Sequence, residues 1–167
     1  MQKLNDGVIL MIMFDKDNKR FNFRVAALAI YNNKVLLHRY ENFDFWALPG
    51  GRAELQENTK ETILRELKEE LDEEVVVERL LWCCESFFNH MNKDVHELGF
   101  YYLVKFKEDS PLLHIEEEFE KLELDGSKMF FRWIPLDEVD NLKIMPAFIK
   151  QKITKLSNEI EHIIISD

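Results

Sequence analysis

The chain has 167 residues, of which 46% are hydrophobic and 32% are charged, as in an ordinary globular protein with one hydrophobic core. Its formal net charge of −10 argues against a nucleic-acid backbone or an anionic membrane as the main partner. An anionic small molecule stays compatible with that charge, because bound metal ions reverse the local sign.

Two features of the sequence favour a cytoplasmic location. The polar start, residues 1–7, and the short apolar run 8–14 match neither a signal peptide nor a membrane span. The adjacent Cys83 and Cys84 have no spacing typical of a disulfide framework or a zinc site. We therefore expect them to be buried or half-buried small apolar side chains.

A predicted strand over residues 8–14 opens the chain, and a hairpin follows with strands at 24–30 and 35–40. Its turn, residues 31–34, contains Asn32 and Asn33, which suit positive φ angles. His38 and Arg39 lie at the far end of the second strand. We interpret His38 as a core or surface histidine, and we expect Arg39 to meet a phosphate near the following Gly-Gly loop.

Residues 48–72 form the stretch around which the rest of the chain is organised. A Pro-Gly-Gly turn and a polar loop lead into a predicted helix from about Asn58 or Thr59 to Leu71, and either first residue is a suitable N-cap. Like charges three or four residues apart cost a few tenths of a kcal/mol per pair. We therefore interpret the acidic side of this helix as a site for a hard divalent cation, with a solvated acidic face as the alternative. Its members share an arc of about 100° and are Glu66, Glu69, Glu70 and Glu73.

The second half of the chain returns mainly to strands. Residues 75–88 favour one or two strands, and 96–106 favour another after a loop of moderate length. Residues 107–127 are predicted to be a surface loop with one helical turn. A strand at 130–134, a helix over 147–156 and a short closing strand or packed tail complete the chain. This order predicts an α+β fold in a single domain, residues 1–167.

The spacing in the central stretch resembles the signature of the Nudix hydrolase family, G-x5-E-x7-R-E-U-x-E-E-x-G-U, with U apolar. Seven specified positions match, beginning at Gly51 and ending at Glu70, which is far more specific than a lone glycine motif. Asp72 stands where the family has glycine, and Glu73 where it has an apolar residue. Aspartate tolerates the left-handed conformation that ends such a helix, and we expect residues 75–77 to supply the apolar contact.

The resemblance, which extends more weakly over residues 20–157, implies a fold and an activity. The fold is a MutT-like Nudix α/β/α sandwich with a mixed β-sheet, an N-terminal β extension over residues 1–20 and the Nudix box over residues 48–73. The activity is hydrolysis of a pyrophosphate bond in a nucleoside diphosphate-linked or nucleotide-type substrate, with Mg²⁺ or its substitute Mn²⁺. The alternative is a catalytically weak Nudix-fold module that binds nucleotides or regulates. A small molecule is the expected partner, without nucleic acid or membrane, and a homodimer through the early apolar strand is compatible with the sequence.

The resemblance also implies roles for individual residues. Glu66 and Glu70 are the expected main metal ligands and catalytic groups, with Glu69 secondary and the carbonyl of Gly50 or Gly51 contributing. Glu57 and Arg65 are expected to brace the loop against the helix. Outside the box, Glu97 is the first choice for a further catalytic acid, with Glu116, Glu117 and Glu118 as rivals. The expected substrate contacts are Arg39, Gly51, Phe87 and His96, although an aromatic residue such as Phe87 is also a common core residue and His96 suits a structural role equally well.

Overall fold

The structure, a computed structural model, describes residues 10–122 and 126–166. Residues 8 and 9 of the predicted first strand, residues 123–125 of the predicted surface loop and residue 167 lie outside this part. The described strands and helices are, in chain order, β1 (Met13–Lys16), β2 (Lys19–Tyr31), β3 (Lys34–Tyr40), β4 (Gly50–Arg52), α1 (Thr59–Leu71), β5 (Val75–His90), β6 (Lys93–Phe106), β7 (Phe119–Leu122), β8 (Lys128–Pro135), α2 (Phe148–Lys152) and β9 (Glu161–Ser166).

The strands form one mixed sheet in the order β7-β8-β3-β2-β6-β5-β9, and β1 and β4 also pair with β2. The β2–β6 and β5–β9 pairs are parallel, and the others are antiparallel. Strand β3 pairs with β2 only at Val35 and Lys34. Further along, His38 pairs with Ala47 instead, and Ala27 of β2 donates to the carbonyl of Pro49. The segment that leads into the Gly-Gly turn is therefore held between β2 and β3.

The two helices cover opposite faces of this sheet, as the alternation of β2 requires. Successive side chains of a strand point to opposite faces, and each buried aliphatic side chain contributes about 2 kcal/mol. On one face α1 packs on β2 through Ile63, Leu67, Val25, Ala27 and Ala29. On the other face α2 packs through Phe148, Ile149, Ala26 and Leu28. The predicted α/β/α sandwich with a mixed sheet is confirmed.

Helix α1 begins and ends as its sequence predicts. The Asn58 side chain accepts from the backbone N–H groups of Lys60 and Glu61, and the Glu61 side chain accepts from the Asn58 backbone N–H, which forms a reciprocal cap. At the other end Asp72 adopts the left-handed conformation, with φ 60° and its N–H bonded to the carbonyl of Lys68. Val75 is buried in the core, so it supplies the apolar contact that Glu73 does not.

Several local predictions need correction. The connection between β5 and β6 is a tight turn at Met91 and Asn92, both with positive φ, because the two strands pair as far as His90 and Lys93. The predicted surface loop contains a 3-10 turn at Pro111–His114, as expected, but also strand β7, which pairs with β8. Helix α2 ends at Lys152 rather than near residue 156.

Both cysteines are free, and Cys84 is fully buried, as predicted. None of the described helices is long and apolar enough to cross a membrane.

Candidate active site

The Gly-Gly turn and helix α1 meet at the carboxylate of Glu66. A Cβ atom added to Gly51 would lie 2.3 Å from Glu66 Cδ, closer than such contacts allow. Gly50 has φ 136°, and its Cβ would lie 2.2 Å from the carbonyl oxygen of Val25 on β2. Glycine is therefore required at residue 50, where the backbone of β2 leaves no room for a Cβ. At residue 51 a side chain would instead displace the Glu66 carboxylate.

Arg65 connects the loop, the turn and the acidic side of α1. Its Nε and Nη2 donate to Glu57 Oε1 and Oε2 at 2.8 and 3.0 Å, a bidentate contact with strong directional preference. Nη2 also donates to the Arg52 carbonyl at 3.0 Å, and Nη1 donates to Glu66 Oε1 at 2.8 Å. Glu69 Oε2 accepts at 3.2 Å. The guanidinium thus fixes the position of Glu66 relative to the turn.

The charges of this cluster depend on one another. The hydrogen bonds from Arg65 lower the pKa of Glu57, and the same contacts raise the pKa of Arg65. Glu66 differs, because burial raises its pKa while Arg65 and Arg24 oppose that shift. Its carboxylate is largely withdrawn from water, with 13% of the side chain exposed. An added cation next to it would favour the ionised form.

The predicted metal ligands fit an oxygen-preferring ion with few protein ligands. Glu66 and Glu70 lie one turn apart on α1, and Glu69 is an exposed neighbour. Among residues 10–122 and 126–166, no group of three or more His, Cys, Asp or Glu side chains is arranged to hold a metal ion. Mg²⁺ commonly takes only one or two carboxylates and completes its shell with water and substrate phosphates. The Glu66 carboxylate, which lies over Gly51, suits a metal ion with few protein ligands.

Glu97, the predicted further acid, belongs to a buried hydrogen-bonded network. Its side chain is on β6, and the residue is 9% exposed. Glu97 Oε2 accepts from Asn22 Nδ2 at 2.6 Å, and Asn22 Oδ1 accepts from Arg52 Nε at 2.7 Å. Because Arg52 belongs to β4 and its carbonyl accepts from Arg65, this network leads directly to the acidic cluster.

A cleft of about 710 Å³ adjoins this network. Its cationic lining residues are Arg20, Arg24, Arg39 and Arg52, and Glu97 lies among them. Burial lowers the pKa of Arg52, and the positive charges of Arg24 and Arg20 lower it further. Burial also opposes the charge of Arg24, but Glu97 and other neighbours raise its pKa overall. In a protein of net charge −10, the cleft is thus a local concentration of positive charge.

The cleft also has an aromatic part. Phe43 and Phe45 stack with ring centroids 5.1 Å apart, and Tyr40 and His90 contact Phe43 edge-on at 5.7 and 5.8 Å. All four residues line the cleft. Flat faces of this kind suit a planar ring system.

The predicted substrate contacts are placed differently from one another. Phe87 lines both the cleft and a second hollow of about 680 Å³, whereas His96, one residue before Glu97 on β6, lines the second hollow but not the cleft. The two rings stack at 4.4 Å. Arg39 lines the cleft, but its guanidinium donates to Glu118 at 3.0 Å and lies over the rings of Trp46 and Phe130. The roles expected of these residues stay predictions.

Asn22, Arg24 and Arg52 were not among the site residues predicted from the sequence. Arg20, Asn22 and Arg24 alternate along β2 and so share one face of the strand. This alternation of polar residues, immediately before an apolar run, could have predicted a polar face at the start of β2. Arg52 directly follows the Gly-Gly turn, but the direction of its side chain depends on the pairing of β4 with β2.

The sandwich, the braced loop-helix and the cleft beside it are the architecture of a Nudix-type pyrophosphohydrolase. The NUDIX domain pattern matches residues 21–156, most of the chain. The chain therefore belongs to the NUDIX family, whose members hydrolyse pyrophosphate bonds in nucleotide-type compounds.

Similar solved structures share this fold. A MutT protein from Bacillus halodurans has a TM-score of 0.59 at 21% identity, over 87% of this chain and 89% of that one. A NUDIX hydrolase from Nitrosomonas europaea has a TM-score of 0.60 at 20% identity, over 80% of this chain and 86% of that one. For a UDP-X diphosphatase the TM-score is 0.58 at 22% identity, over 85% of this chain but 66% of that one. No curated protein matches the sequence significantly.

Proposed function

We propose that this Nudix pyrophosphohydrolase is metal-dependent and acts on a nucleoside diphosphate joined to a further group or on a related nucleotide. The main support is the carboxylate of Glu66, which Arg65 holds at 2.8 Å against the Gly-Gly turn. Glu66 and Glu70 are the main metal ligands in this proposal, with Glu69 and the Gly50 carbonyl as further contributors. Mg²⁺ is the expected ion and Mn²⁺ its substitute.

When bound, the metal ion neutralises phosphate oxygens and lowers the pKa of coordinated water. The arginines of the cleft neutralise phosphate oxygens that the metal ion does not contact. Arg24 and Arg52 lie beside Glu97 and present positive charge to the remaining phosphate oxygens, which orients the diphosphate. Bidentate guanidinium contacts to phosphate are directional as well as strong. The metal ligands of α1 and the arginines of the cleft would thus contact different oxygens of the same diphosphate.

Glu97 is the proposed general base. The hydrogen bond from Asn22 Nδ2 to Glu97 Oε2 holds the carboxylate in one orientation, from which it accepts a proton from the attacking water. Asn22 is in turn held by Arg52, so the base and a phosphate-binding residue share one network. Glu116, Glu117 and Glu118 are weaker rivals, since all three are exposed and none lines the cleft. Glu118 is also paired with Arg39.

The proposal is tested with a panel of nucleoside di- and triphosphates, nucleotide sugars and dinucleotides, each incubated with Mg²⁺ or Mn²⁺. We expect wild-type protein to release phosphate-containing products only with metal, and Glu66→Gln and Glu70→Gln to lose most of that activity. Glu74→Gln, at an exposed position after α1 where the carboxylate pairs with Lys107, is the matched control and keeps activity. Unchanged metal-dependent turnover in both ligand variants would refute the assignment.

The alternative of a catalytically weak module rested on two departures from the signature. Asp72 keeps the left-handed helix end and Val75 supplies the apolar contact, so neither departure disturbs the carboxylates. Thermal stabilisation by a nucleotide without any product would favour the module. The homodimer and the cytoplasmic location stay predictions, and the oligomeric state is measured by light scattering after gel filtration.

A further inference from the structure

The loop between β3 and β4 carries two phenylalanines to the cleft. Phe43 and Phe45 are half-buried, and both line the cleft, so a ligand in the cleft is able to contact them. Their sequence context did not distinguish them from the other aromatic residues, which are more often core than site residues. Their surroundings in the structure favour a binding role.

The two rings form a stacked pair. Their centroids are 5.1 Å apart, and their planes differ by 13°. Phe43 is the inner ring of the pair, because the rings of Tyr40 and His90 also contact it, at 5.7 and 5.8 Å. The face of Phe45 turned away from Phe43 is therefore the one on which a further ring would lie. A planar ring placed there would continue the offset stacking that aromatic systems prefer.

The loop that carries these rings is held in place without a ligand. Both carboxylate oxygens of Asp44, the residue between the two phenylalanines, accept from Lys143 Nζ, at 2.9 and 2.8 Å. The Trp46 N–H donates to the Lys143 carbonyl at 2.8 Å, and the Trp46 carbonyl accepts from the Met145 N–H at 2.8 Å. The rings are therefore ordered before a substrate binds, which lowers the entropic cost of stacking on them.

The stacked pair lies within reach of the arginines proposed to bind the diphosphate. Arg24 Nη2 donates to the Leu48 carbonyl at 3.2 Å, and Leu48 is only three residues after Phe45. An extended chain of three residues spans about 10 Å at most. A ribose and its first phosphate bridge a gap of that order between a base and a diphosphate. A nucleotide whose phosphates meet Arg24 and Arg52 is thus able to place its base on Phe45.

We infer that Phe45, supported from behind by Phe43, is the residue on which the planar base of the substrate stacks. This inference rests on the proposed function, because it needs a nucleotide whose diphosphate is bound by the arginines. It assigns the aromatic part of the cleft to the base, and not to the sugar or to the second group attached to the diphosphate. Stacking accepts every base, because each has a planar π-face.

The test uses probes that the enzyme does not cleave, because a methylene group replaces the bridging oxygen. They are the α,β-methylene analogues of four compounds: ADP, UDP, 5,6-dihydro-UDP and ribose 5-diphosphate. The ring of dihydro-UDP is saturated and no longer planar, and ribose 5-diphosphate has no base. Binding is measured by titration calorimetry with Mg²⁺ present.

Three variants separate stacking from other contacts. Phe45→Leu removes the aromatic ring and keeps an apolar side chain, whereas Phe45→Tyr keeps the ring. Phe14→Leu is the matched control. Phe14 also stacks on a phenylalanine, with 5.2 Å between its centroid and that of Phe21, but it lines the second hollow and not the cleft.

We expect Phe45→Leu to weaken binding of the ADP analogue about tenfold and to leave binding of the probe without a base unchanged. Phe45→Tyr and Phe14→Leu should bind every probe as wild type does. Wild-type protein should bind the UDP analogue more tightly than the dihydro-UDP analogue, because the two bases have the same carbonyl and N–H groups but only uracil is planar. In Phe45→Leu this preference for the planar base should disappear.

Unchanged binding of the ADP analogue by Phe45→Leu would overturn the inference, as would equal weakening of all probes, the one without a base included. If Phe45→Leu does not fold, the wild-type comparison decides. Equal binding of the UDP and dihydro-UDP analogues then contradicts stacking, and tighter binding of the planar form supports it. Wild-type protein that turns over no nucleotide contradicts the proposed function itself, whereas normal turnover with unchanged base binding in Phe45→Leu contradicts only the role of Phe45.

Discussion

The carboxylate of Glu66 occupies the space that a side chain at Gly51 would fill, with only 2.3 Å between the Glu66 Cδ and an added Cβ. The two residues lie near opposite ends of the signature, yet they are in contact in the structure. The absence of a side chain at Gly51 leaves room for the Glu66 carboxylate, which reaches over it from α1.

Gly51→Ala should displace the Glu66 carboxylate and lower kcat about 100-fold, since a shift of about 1 Å at a reacting centre costs that much. The Tm should change far less than the activity, because the overlap involves one side chain. Steady-state kinetics and a thermal melt measure the two effects. Gly126→Ala is the control for activity alone, since a Cβ there would meet nothing within 4 Å, whereas its φ of 84° strains an alanine and lowers the Tm. Equal activity of the two variants would contradict the role of Gly51.

Arg65→Lys should lower activity about 10- to 100-fold, the usual loss when a residue that orients metal ligands is changed. Lysine keeps the positive charge but cannot reach Glu57, Glu66 and the Arg52 carbonyl together. Glu57→Gln removes part of the same brace, so the double variant should lose less than the product of the two single losses. Strict additivity in this double-mutant cycle would show that the two residues act independently.

The pH dependence of stability should differ in sign between Glu57 and Glu66. The pKa of Glu57 is lowered by Arg65, so its contribution is present above its ordinary pKa and is lost as the pH falls through the lowered value. The pKa of Glu66 is raised by burial, so its ionisation destabilises the folded protein above that pKa. Urea unfolding without metal should show Glu66→Gln gaining stability at pH 7, and Glu57→Gln losing it. A loss in both variants would contradict the sign given for Glu66.

Arg52→Gln should raise KM about tenfold, because Arg52 presents charge to a bound phosphate chain. It should also lower kcat, because Arg52 Nε holds Asn22, which orients Glu97. Salt should weaken substrate binding in wild type more steeply than in the variant. Arg132→Gln, at an exposed position on β8, should leave KM and its salt dependence unchanged. An Arg52 variant with wild-type KM would remove it from the substrate site.

The local features of the Nudix box could be predicted because they depend on nearby residues. The N-cap at Asn58, the left-handed Asp72 and the two faces of α1 follow from propensity, capping and helical period. The family resemblance added the fold and the reaction from the spacing of the carboxylates. Strand β7 was missed because a short edge strand in an acidic segment is defined by its partner, β8, and not by its own composition.

The arrangement of the cleft was decided only by the tertiary structure. Arg24, Arg52 and Glu97 come from three strands, and nothing in their spacing along the chain brings them together. His96 and Glu97 are adjacent in sequence, but the alternation of β6 places them in different hollows. Sequence determines what a residue is able to do locally, whereas burial and the pairing of distant strands decide which residues face the same substrate.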